Sequence, residues 1–526
     1  MSIYLNPGNE SFQRALRSQI YVDKTELISY TNSVLGTEQG NICVSRPRRF
    51  GKSMTANMLV AYYSRGCDSK ELFQDYKIAK ASKGLDYMNK YDVIYLNVQQ
   101  FLRKAVKLEN LVHVIEEEVL TELKTEYKEA GVDFENSLSD ALAHVYAKKQ
   151  SQNGFVFIID EWDCVFREAK HNTTVQKEYL DFFRDLLKDR PYVQLAYMTG
   201  ILPIKKYGTH SALNIFKEFS MTNPRGLAMY VGFTENEVKG LCKRFGMKFS
   251  EAKRWYDGYR FKKAAHIYNP KSIVDAMTEG EYTSYWTSTE TYEALQVYID
   301  MNMDGLKEAI VSMMGGGSCE IDTEAFQNDM TSMKSRDDVL TLLVHLGYLA
   351  YDERKCSVFI PNEEVRREFV RAIRNGSRPE LVKAIQTSDR LLQATLRMDA
   401  AEVARLIDEA HSANTSPDFY NNEQSLRSVI ALAYFSSKDD YLMIHELPGG
   451  RGYSDIVFLP RKSSGKPAMV VELKWDKSAE GAIAQVKDKK YVQAIENYGG
   501  DILLVGINYD RNSKKHECII EKYHKE

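Results

Sequence analysis

The sequence predicts a multidomain α/β protein. Its 526 residues exceed what one hydrophobic core usually covers, so we expect two or three domains. Across residues 1–235, short apolar runs alternate with longer amphipathic segments, which indicates a mostly parallel sheet covered by helices. A second alternation of this kind follows residue 415 and predicts another, smaller α/β domain.

The pattern divides the chain into four segments. Residues 1–235 form the first α/β domain, and residues 415–526 form the second. Between them, residues 236–377 contain short helical patterns that end in a helix, two short strands and another helix, the order of a winged-helix module. We therefore expect a helical, winged-helix lid at 236–377 and a helical connector at 378–414.

Composition narrows the class of protein. A hydrophobic share of 44% with 27% charged residues is typical of a globular protein in water, and no apolar stretch reaches membrane-spanning length. The net charge of −3 excludes a global positive field, so any nucleic-acid contact must come from local patches. The 7 cysteines are scattered with no pair at zinc-ligand spacing, which indicates free thiols in a reducing compartment. We expect a cytoplasmic protein without membrane contacts.

The stretch NICVSRPRRFGKSMTANMLVAYYS, residues 41–64, has the order of a phosphate-binding loop between a strand and a helix. Gly51 allows close backbone approach, Lys52 supplies a cation, and Ser53 supplies a hydroxyl for magnesium. Arg46 stands where the first glycine of such a loop would be, so the start of the loop must turn differently. A GKS string alone is more often a surface turn. The loop residues predicted to bind nucleotide are Arg49, Phe50, Gly51, Lys52, Ser53 and Met54.

A second element, FVFIIDEWD, begins at residue 155. Its apolar run predicts a buried strand that carries Asp160 and Glu161 to its C-terminal end, where ligands of α/β sheets bind. Asp160 would hold magnesium, and Glu161 would orient or deprotonate the attacking water. Thr199 ends a further strand and could sense the outermost phosphate. The alternatives are an acidic turn that ends a strand and an ordinary strand-terminal threonine.

The C-terminal segment carries a different set of charged residues, Asp455, Glu472 and Lys474. If the strands around Pro460 and Pro467 form a hairpin with these two prolines opposite each other, Asp455 lies across from Glu472. Lys474 is two residues further along and shares their face. Two carboxylates this close require a cation, which predicts a magnesium or manganese site with a lysine beside it. The alternative is an exposed strand in which acidic and basic residues happen to alternate.

Several strings together resemble a known family: YVDKTELI, SRPRRFGKS, IIDEWD, MTGILPI, GFTENEV, WYDGYRF and IYNPKSI. Over nearly the whole chain they are similar to bacterial AAA-ATPase-like proteins that carry a C-terminal PD-(D/E)XK nuclease domain. The family also has RPRRFGKS in place of the usual first glycine. The resemblance implies a P-loop NTPase parallel sheet with a lid, a restriction-endonuclease-like C-terminal domain, and ATP with Mg²⁺ as cofactors.

The resemblance also implies further site residues. Glu423, on the helix before the hairpin, would be another metal ligand, and Gln485 and Tyr491 match the family's Q and Y positions. Arg225 is a candidate for an arginine acting on the outermost phosphate, with a solvated loop arginine as the alternative. Asp23 and Lys24 fall in a stretch expected to cover the base or ribose, although a helix N-cap is the stronger expectation for Asp23.

Two functions remain open on the sequence. The first is an ATP-regulated, metal-dependent DNA nuclease. The second is a nucleotide-dependent switch whose nuclease-like domain only binds nucleic acid or a protein partner. An excess of two positive charges over residues 474–490 suits phosphate contacts but is also typical of a solvated helix face. The sequence leaves open whether the chain forms a homo-oligomer.

Overall fold

The structure is a computed structural model of the chain. It describes residues 2–128, 137–204, 213–262, 264–286, 292–301, 303–327, 333–375, 379–414, 430, 433–434, 437, 440–449, 452–460, 465–488 and 500–523. The chain divides into two units, which are treated separately below. The first unit comprises Met1–Thr289 and Glu320–Val365, and the second comprises Glu290–Cys319 and Arg366–Glu526.

The first unit is built on a parallel sheet, as the alternating pattern predicts. In the described residues its strands are β1 (Asn41–Ser45), β2 (Asp92–Asn97), β3 (Phe155–Asp160), β4 (Val193–Gly200) and β5 (Lys217–Phe219). They are ordered β2-β3-β4-β1-β5, and every neighbouring pair is parallel. Parallel strands bring their C-terminal ends to one edge, so the ends of β1, β3 and β4 lie side by side there.

Helices connect and cover these strands. They span Glu10–Leu16, Glu26–Val34, Lys52–Tyr63, Lys70–Phe73, Lys77–Lys80, Val98–Lys104, Leu111–Glu126, Leu138–Ala147, Cys164–Glu168 and Thr173–Leu187, with a 3-10 turn at Leu108–Asn110. Local sequence starts several of them: the side chain of Asn97 accepts from the backbone N–H of Gln100, and Asn172 accepts from that of Val175. The helix Lys52–Tyr63 packs against β3 and β4.

The core of this unit explains why β3 is apolar without alternation. All six residues of β3 are buried, because β2 and β4 flank it within the sheet and helices cover both faces. The strand therefore delivers the charged residues at its end to a rigid, fully packed position. Asp160 is the last residue of this buried strand.

The rest of the first unit contains small sheets and further helices. A sheet of order β6-β8-β7 combines β6 (Phe233–Thr234), β7 (Tyr259–Phe261) and β8 (Ala264–Tyr268). Helices span Glu235–Phe245, Phe249–Tyr256 and Pro270–Glu279, with a 3-10 turn at Arg225–Leu227. Thr234 and Glu237 form a capping box at the start of the first helix, within the string GFTENEV.

The order predicted for a winged-helix module occurs next along the chain. After β9 (Cys319–Glu320) come the helix Arg336–Leu346, the antiparallel pair β10 (Ala350–Asp352) and β11 (Ser357–Phe359), and the helix Glu363–Arg374. The elements follow the predicted order, and their assignment to a winged-helix fold stays a prediction.

The second unit carries a mixed sheet. Its strands are β12 (Tyr441–Gly449), β13 (Gly452–Pro460), β14 (Ala468–Trp475), β15 (Ile502–Asp510) and β16 (Lys515–Tyr523), in that spatial order among the described residues. β14 and β15 are parallel and the other pairs are antiparallel. β16 lies outside the predicted strands, because its charged residues interrupt the apolar pattern at a half-exposed edge.

Helices of the second unit span Tyr292–Ile299, Leu306–Met314, Pro379–Leu396, Ala400–Asn414 and Ala479–Asp488. The last of these packs on β14 and β15. Within the described part of the chain, none of the helices has both the length and the apolar character needed to span a membrane.

Candidate functional sites

The loop between β1 and the helix Lys52–Tyr63 turns at other residues than a glycine-rich loop would. Arg46 is fully buried, and its Nη1 donates to the carbonyl oxygens of Ser45 and Phe219, each over 2.8 Å. Positive φ angles occur instead at Arg49 (+68°) and Gly51 (+88°). Arg46 therefore anchors the start of the loop to β5, and the left-handed conformation occurs just before the helix.

Lys52 is the first residue of that helix and is only 5% exposed. Its Nζ donates to the carbonyl oxygen of Pro47 over 2.9 Å, which folds the side chain back along the loop. Burial lowers the pKa of Lys52, while Glu161, Asp163 and Asp160 act in the opposite direction. The ammonium group thus lies within the field of the acidic residues at the end of β3.

Asp160 lies at the sheet edge opposite Thr199 of β4. Burial raises the pKa of Asp160 to about 6, and a hydrogen bond with the side chain of Ser53 opposes that rise. Asp160 Oδ1 also accepts from the backbone N–H of Glu161 over 3.0 Å. The loop hydroxyl and the strand-end carboxylate predicted to share a magnesium ion are thus near enough to influence each other.

Glu161 follows Asp160 and has a φ of +54°, which is unusual for a residue with a side chain. Its Oε2 accepts from Nη2 of Arg167 over 2.5 Å. Nε of Arg167 lies 3.2 Å from Oδ2 of the fully buried Asp163, one helical turn earlier. Burial lowers the pKa of Arg167, but Asp163 and Glu161 outweigh that effect and the net shift is upward.

Arg167 was not identified from the sequence. The signal was an arginine four residues after Asp163 on the helix that follows IIDEWD, a spacing that allows an ion pair. Such spacings are common on solvated helices, so this arginine does not stand out in the sequence.

A cavity of about 640 Å³ lies over this loop. Its wall contains both basic and apolar residues, and Glu161 and Ser53 also lie on it. The basic residues are Lys24, Arg48, Arg49, Lys52, Arg167 and Lys271. The apolar side includes Ile20, Val22, Phe233, Pro270 and Val274. All six loop residues predicted to bind nucleotide, Arg49 to Met54, line this cavity.

Thr199 and Arg225 do not line the cavity. The hydroxyl of Thr199 donates to the carbonyl oxygen of Val44 over 2.9 Å, and the residue is buried within the sheet. Arg225 is exposed on a 3-10 turn. The roles predicted for Thr199 and Arg225 at the outermost phosphate stay predictions, and the positions of the two residues do not support them.

Asp23 ties two chain segments together. Its Oδ1 accepts from the backbone N–H and hydroxyl of Thr25, and its Oδ2 accepts from the backbone N–H of Lys77. Lys24 lines the cavity, although its Nζ is engaged by both carboxylate oxygens of Glu237. These contacts favour the structural interpretation of Asp23.

A further charged cluster joins two of the strings that carry the family resemblance, GFTENEV and WYDGYRF, with the histidine that precedes a third, IYNPKSI. Ligand atoms of Glu235, Asp257 and His266 lie within 4.8 Å of one another. Lys239 and Lys253 approach the carboxylate of Glu235 to 2.6 Å and 3.4 Å. These two ammonium groups compensate the negative charge, so we interpret the cluster as an ion-pair network.

In the second unit, the predicted hairpin register is confirmed. Ile456, Val457 and Phe458 of β13 pair with Val471, Val470 and Met469 of β14. One step further, this register brings Asp455 opposite Glu472. The backbone N–H of Leu473 donates to Oδ2 of Asp455 over 2.9 Å, which joins the two strands at this position.

Glu472 is less exposed than Asp455, with an exposed fraction of 2%. Its Oε1 accepts from Nζ of Lys474 over 3.1 Å and from Nε2 of Gln485. Its Oε2 is buried and has no hydrogen-bond partner among the described residues. Burial and the nearby Asp455 raise the pKa of Glu472 to about 7, and Lys474 opposes that rise.

The structure therefore brings together Asp455, Glu472, Lys474 and Gln485, as predicted. Glu423 and Tyr491 lie outside the described residues. Asp455 and Lys474 are each 6% exposed, so the group is set into the surface rather than solvated. The alternation of acid and base along β14 is thus not that of an exposed strand.

Comparison with known proteins finds one family model that matches the N-terminal region and another that matches the C-terminal region. Residues 8–209 match a family model described as a predicted AAA-ATPase. Residues 421–518 match a model of the PD-(D/E)XK nuclease superfamily. Together with the parallel sheet and the C-terminal mixed sheet, these matches confirm the predicted fold class.

A relative resembles the chain over almost its whole length. It is an uncharacterized protein from the vnfD 5′ region of Azotobacter chroococcum mcd 1, 23% identical over 519 residues, with 94% of this chain and 93% of the relative covered.

Among solved structures, the Walker-type ATPase paby2304 of Pyrococcus abyssi aligns with 66% of this chain and 94% of its own, at 12% identity and a TM-score of 0.35. The ORC2 protein of Aeropyrum pernix aligns with 72% of this chain and 98% of its own, at 13% identity and a TM-score of 0.29. TM-scores in this range establish no correspondence of site residues.

Proposed function

Because this chain combines an AAA-ATPase-like domain with a domain of the PD-(D/E)XK nuclease superfamily, we propose that it hydrolyses ATP and cleaves DNA phosphodiester bonds, with the first activity controlling the second. One observation carries the proposal: each domain holds a buried lysine near carboxylates that lie at strand ends. Lys52 lines the same cavity as Glu161, which follows the buried Asp160, and Lys474 donates to the buried Glu472. Phosphoryl transfer requires such a combination of cation and acid.

In the first domain, the N-terminus of the helix Lys52–Tyr63 and the ammonium of Lys52 would bind the phosphates of ATP. The basic residues that line the cavity complement a nucleoside triphosphate in charge, and the apolar lining residues suit a nucleobase. Glu161 lines the same cavity and would accept the proton of the attacking water.

The residues of this domain fit a magnesium ion. Ser53 influences the pKa of Asp160 and therefore lies near it, and a hydroxyl and a carboxylate are both oxygen ligands of the kind that Mg²⁺ prefers. The ion would supply charge neutralisation for the phosphates. Asp160 would position it from a strand end that is completely buried.

In the second domain, Asp455 and Glu472 fit a divalent cation, either magnesium or manganese. The unpartnered, buried Oε2 of Glu472 is the observation that supports the fit, since such an oxygen is costly to bury without a ligand. The cation would supply charge stabilisation and a more acidic water molecule. Lys474 would stabilise the negative charge that develops on the phosphate, and Gln485 would hold Glu472 in place.

The experiment that tests the proposal measures both activities in the purified full-length protein. ATP hydrolysis is assayed with and without plasmid, linear and single-stranded DNA, and DNA cleavage in Mg²⁺ or Mn²⁺ is assayed with and without ATP. Control of cleavage by hydrolysis predicts that cleavage depends on ATP and is lost in Asp455→Ala, while hydrolysis persists in that variant. Hydrolysis without cleavage of any DNA or RNA would instead favour a nucleotide-dependent switch.

A further inference from the structure

Arg167 occupies a position at the candidate ATPase site that no sequence motif assigns. It lies on the short helix Cys164–Glu168, and its guanidinium touches two acids at once. Nη2 is 2.5 Å from Oε2 of Glu161, and Nε is 3.2 Å from Oδ2 of Asp163. The side chain is 10% exposed and reaches the cavity wall beside Lys52 and Ser53. It is therefore a nearly buried cation at the place where phosphates would bind.

The contact with Arg167 occupies Glu161 as it stands. The guanidinium engages Oε2, one of the two carboxylate oxygens that would accept the proton from water. Glu161 in this arrangement is held back from the reaction assigned to it above.

Asp163 gives Arg167 a second anchor that does not depend on Glu161. Asp163 is fully buried and is itself fixed by the backbone N–H of Leu202, which donates to Oδ2 over 3.0 Å. If Arg167 releases Glu161, Asp163 still holds Nε close to the cavity. The planar guanidinium has several N–H donors, so one side can stay on Asp163 while the other exchanges partners.

The exchange partner is a phosphate at the Lys52 end of the cavity. Lys52 and Arg167 both line this cavity, so two cations face the same space and repel each other. A terminal phosphate bound by Lys52 would relieve this repulsion and would compete with Glu161 for the guanidinium, because phosphate oxygens are strong acceptors for arginine.

From this geometry, and resting on the proposed ATPase function, we propose that Arg167 alternates between Glu161 and the terminal phosphate of ATP. Without nucleotide, Arg167 holds Glu161 and prevents it from acting as a base. With ATP, Arg167 binds the terminal phosphate, and Glu161 is released to activate water. The chain then supplies its own phosphate-binding arginine, in place of one from a neighbouring subunit.

In the proposed hydrolysis of ATP, Glu161 is the residue that carries the proton. Water forms a bond to the terminal phosphorus, the bond from that phosphorus to the bridging oxygen of ADP breaks, and Glu161 takes one proton from the water. Glu161 then returns this proton to the solvent or to phosphate. Arg167 changes only its hydrogen-bond partner and stays charged throughout.

A double-mutant cycle in nucleotide affinity tests this proposal. The variants are Arg167→Gln, Glu161→Gln and the double substitution, each titrated calorimetrically with a non-hydrolysable ATP analogue and with ADP. Glu161→Gln should bind the analogue about fivefold more tightly than the wild type, because Arg167 no longer has to leave a carboxylate. Arg167→Gln should bind it about tenfold more weakly, and the double variant should lose the gain seen in Glu161→Gln.

ADP lacks the terminal phosphate, so its affinity should change less than twofold across the cycle. This readout separates the proposal from a purely structural role of Arg167 at Asp163, which would affect both nucleotides equally or neither. Equal effects on both nucleotides, or an unchanged analogue affinity in Arg167→Gln, would overturn the proposal. If Arg167→Gln does not fold, Arg167→Lys replaces it: this variant should keep the pair with Asp163 and still lose most of the analogue preference.

Lys52→Ala distinguishes failure of this inference from failure of the proposed function. One outcome is that Lys52→Ala loses all nucleotide binding while the affinity for the ATP analogue is the same in every variant of the Arg167 cycle. That outcome contradicts the exchange by Arg167 and leaves the ATPase assignment standing. Unchanged nucleotide binding in Lys52→Ala contradicts both.

Discussion

Oδ2 of Asp455 accepts a 2.9 Å hydrogen bond from the backbone N–H of Leu473, the residue that follows Glu472. This bond fixes one carboxylate beside the other across two paired strands. Its effect is visible at Glu472, whose pKa is raised to about 7, first by burial and then by Asp455. Since a metal binds the ionised carboxylate, proton release and metal uptake are linked at this site.

Metal uptake at the C-terminal site should therefore depend on pH near neutrality. At pH 6 about one-tenth of Glu472 is ionised for a pKa of about 7, and at pH 8 about nine-tenths. The apparent affinity for Mn²⁺ should thus rise about tenfold between these values, measured by calorimetry on the full-length protein.

The metal affinity falls as the pH falls through about 7, because the pKa of Glu472 is raised to that value and protonation of Glu472 then competes with the metal. Glu472→Gln removes the competing proton and should show weak, nearly pH-independent uptake. A wild-type affinity that is flat from pH 6 to 8 would contradict the assignment of Glu472 as a ligand.

Asp455→Ala and Lys474→Ala should each abolish DNA cleavage for different reasons. The aspartate variant should lose metal uptake, because a proposed ligand is missing, while the lysine variant should largely keep it and fail at charge stabilisation. Cleavage is followed on plasmid DNA in Mg²⁺ or Mn²⁺, and metal uptake by calorimetry.

Lys522→Ala is the matched control for the lysine variant, since Lys522 lies on the same sheet and pairs with the exposed Asp501 at 3.4 Å. It should cleave DNA like the wild type. Full cleavage by Lys474→Ala, or equal loss of metal in both site variants, would contradict the separate roles.

The sequence was most informative where neighbouring residues decide the structure. The buried run of β3 predicts where Asp160 and Glu161 emerge, and the two prolines at the hairpin predict the register of Asp455 with Glu472. Both arguments need only strand periodicity and the distance along one hairpin.

The sequence was least informative where a side chain contacts a distant part of the chain. Arg46 replaces a glycine because its guanidinium reaches the carbonyl oxygen of Phe219, on a strand that follows much later. The sequence makes Thr199 a candidate for phosphate sensing, and in the structure its hydroxyl donates to the carbonyl oxygen of Val44 on the neighbouring strand. The order of the strands within the sheet decides both contacts, and a single sequence does not carry that order.

Lys52→Ala should remove measurable ATP binding in calorimetry. Lys52 is 5% exposed and lines the cavity with the other loop residues predicted to bind nucleotide, so its loss should remove a fixed phosphate contact. Lys77→Ala is the control, because Lys77 is half-exposed and pairs with Glu26 in the same unit. Retained ATP affinity in Lys52→Ala would rule out this loop as the nucleotide site.

Glu161→Gln should retain ATP but hydrolyse it slower by about two orders of magnitude or more, the usual loss when a general base is removed. Amide and carboxylate have the same shape, so the cavity keeps its form while the proton acceptor is lost. The rate is measured as phosphate release at saturating ATP. Glu168→Gln is the matched control: Glu168 is exposed on the neighbouring helix, and its loss should leave turnover unchanged. Normal turnover in Glu161→Gln would transfer the role to another acid. Asp163 is then the nearest alternative, although its complete burial and its bond to the backbone of Leu202 give it little access to water.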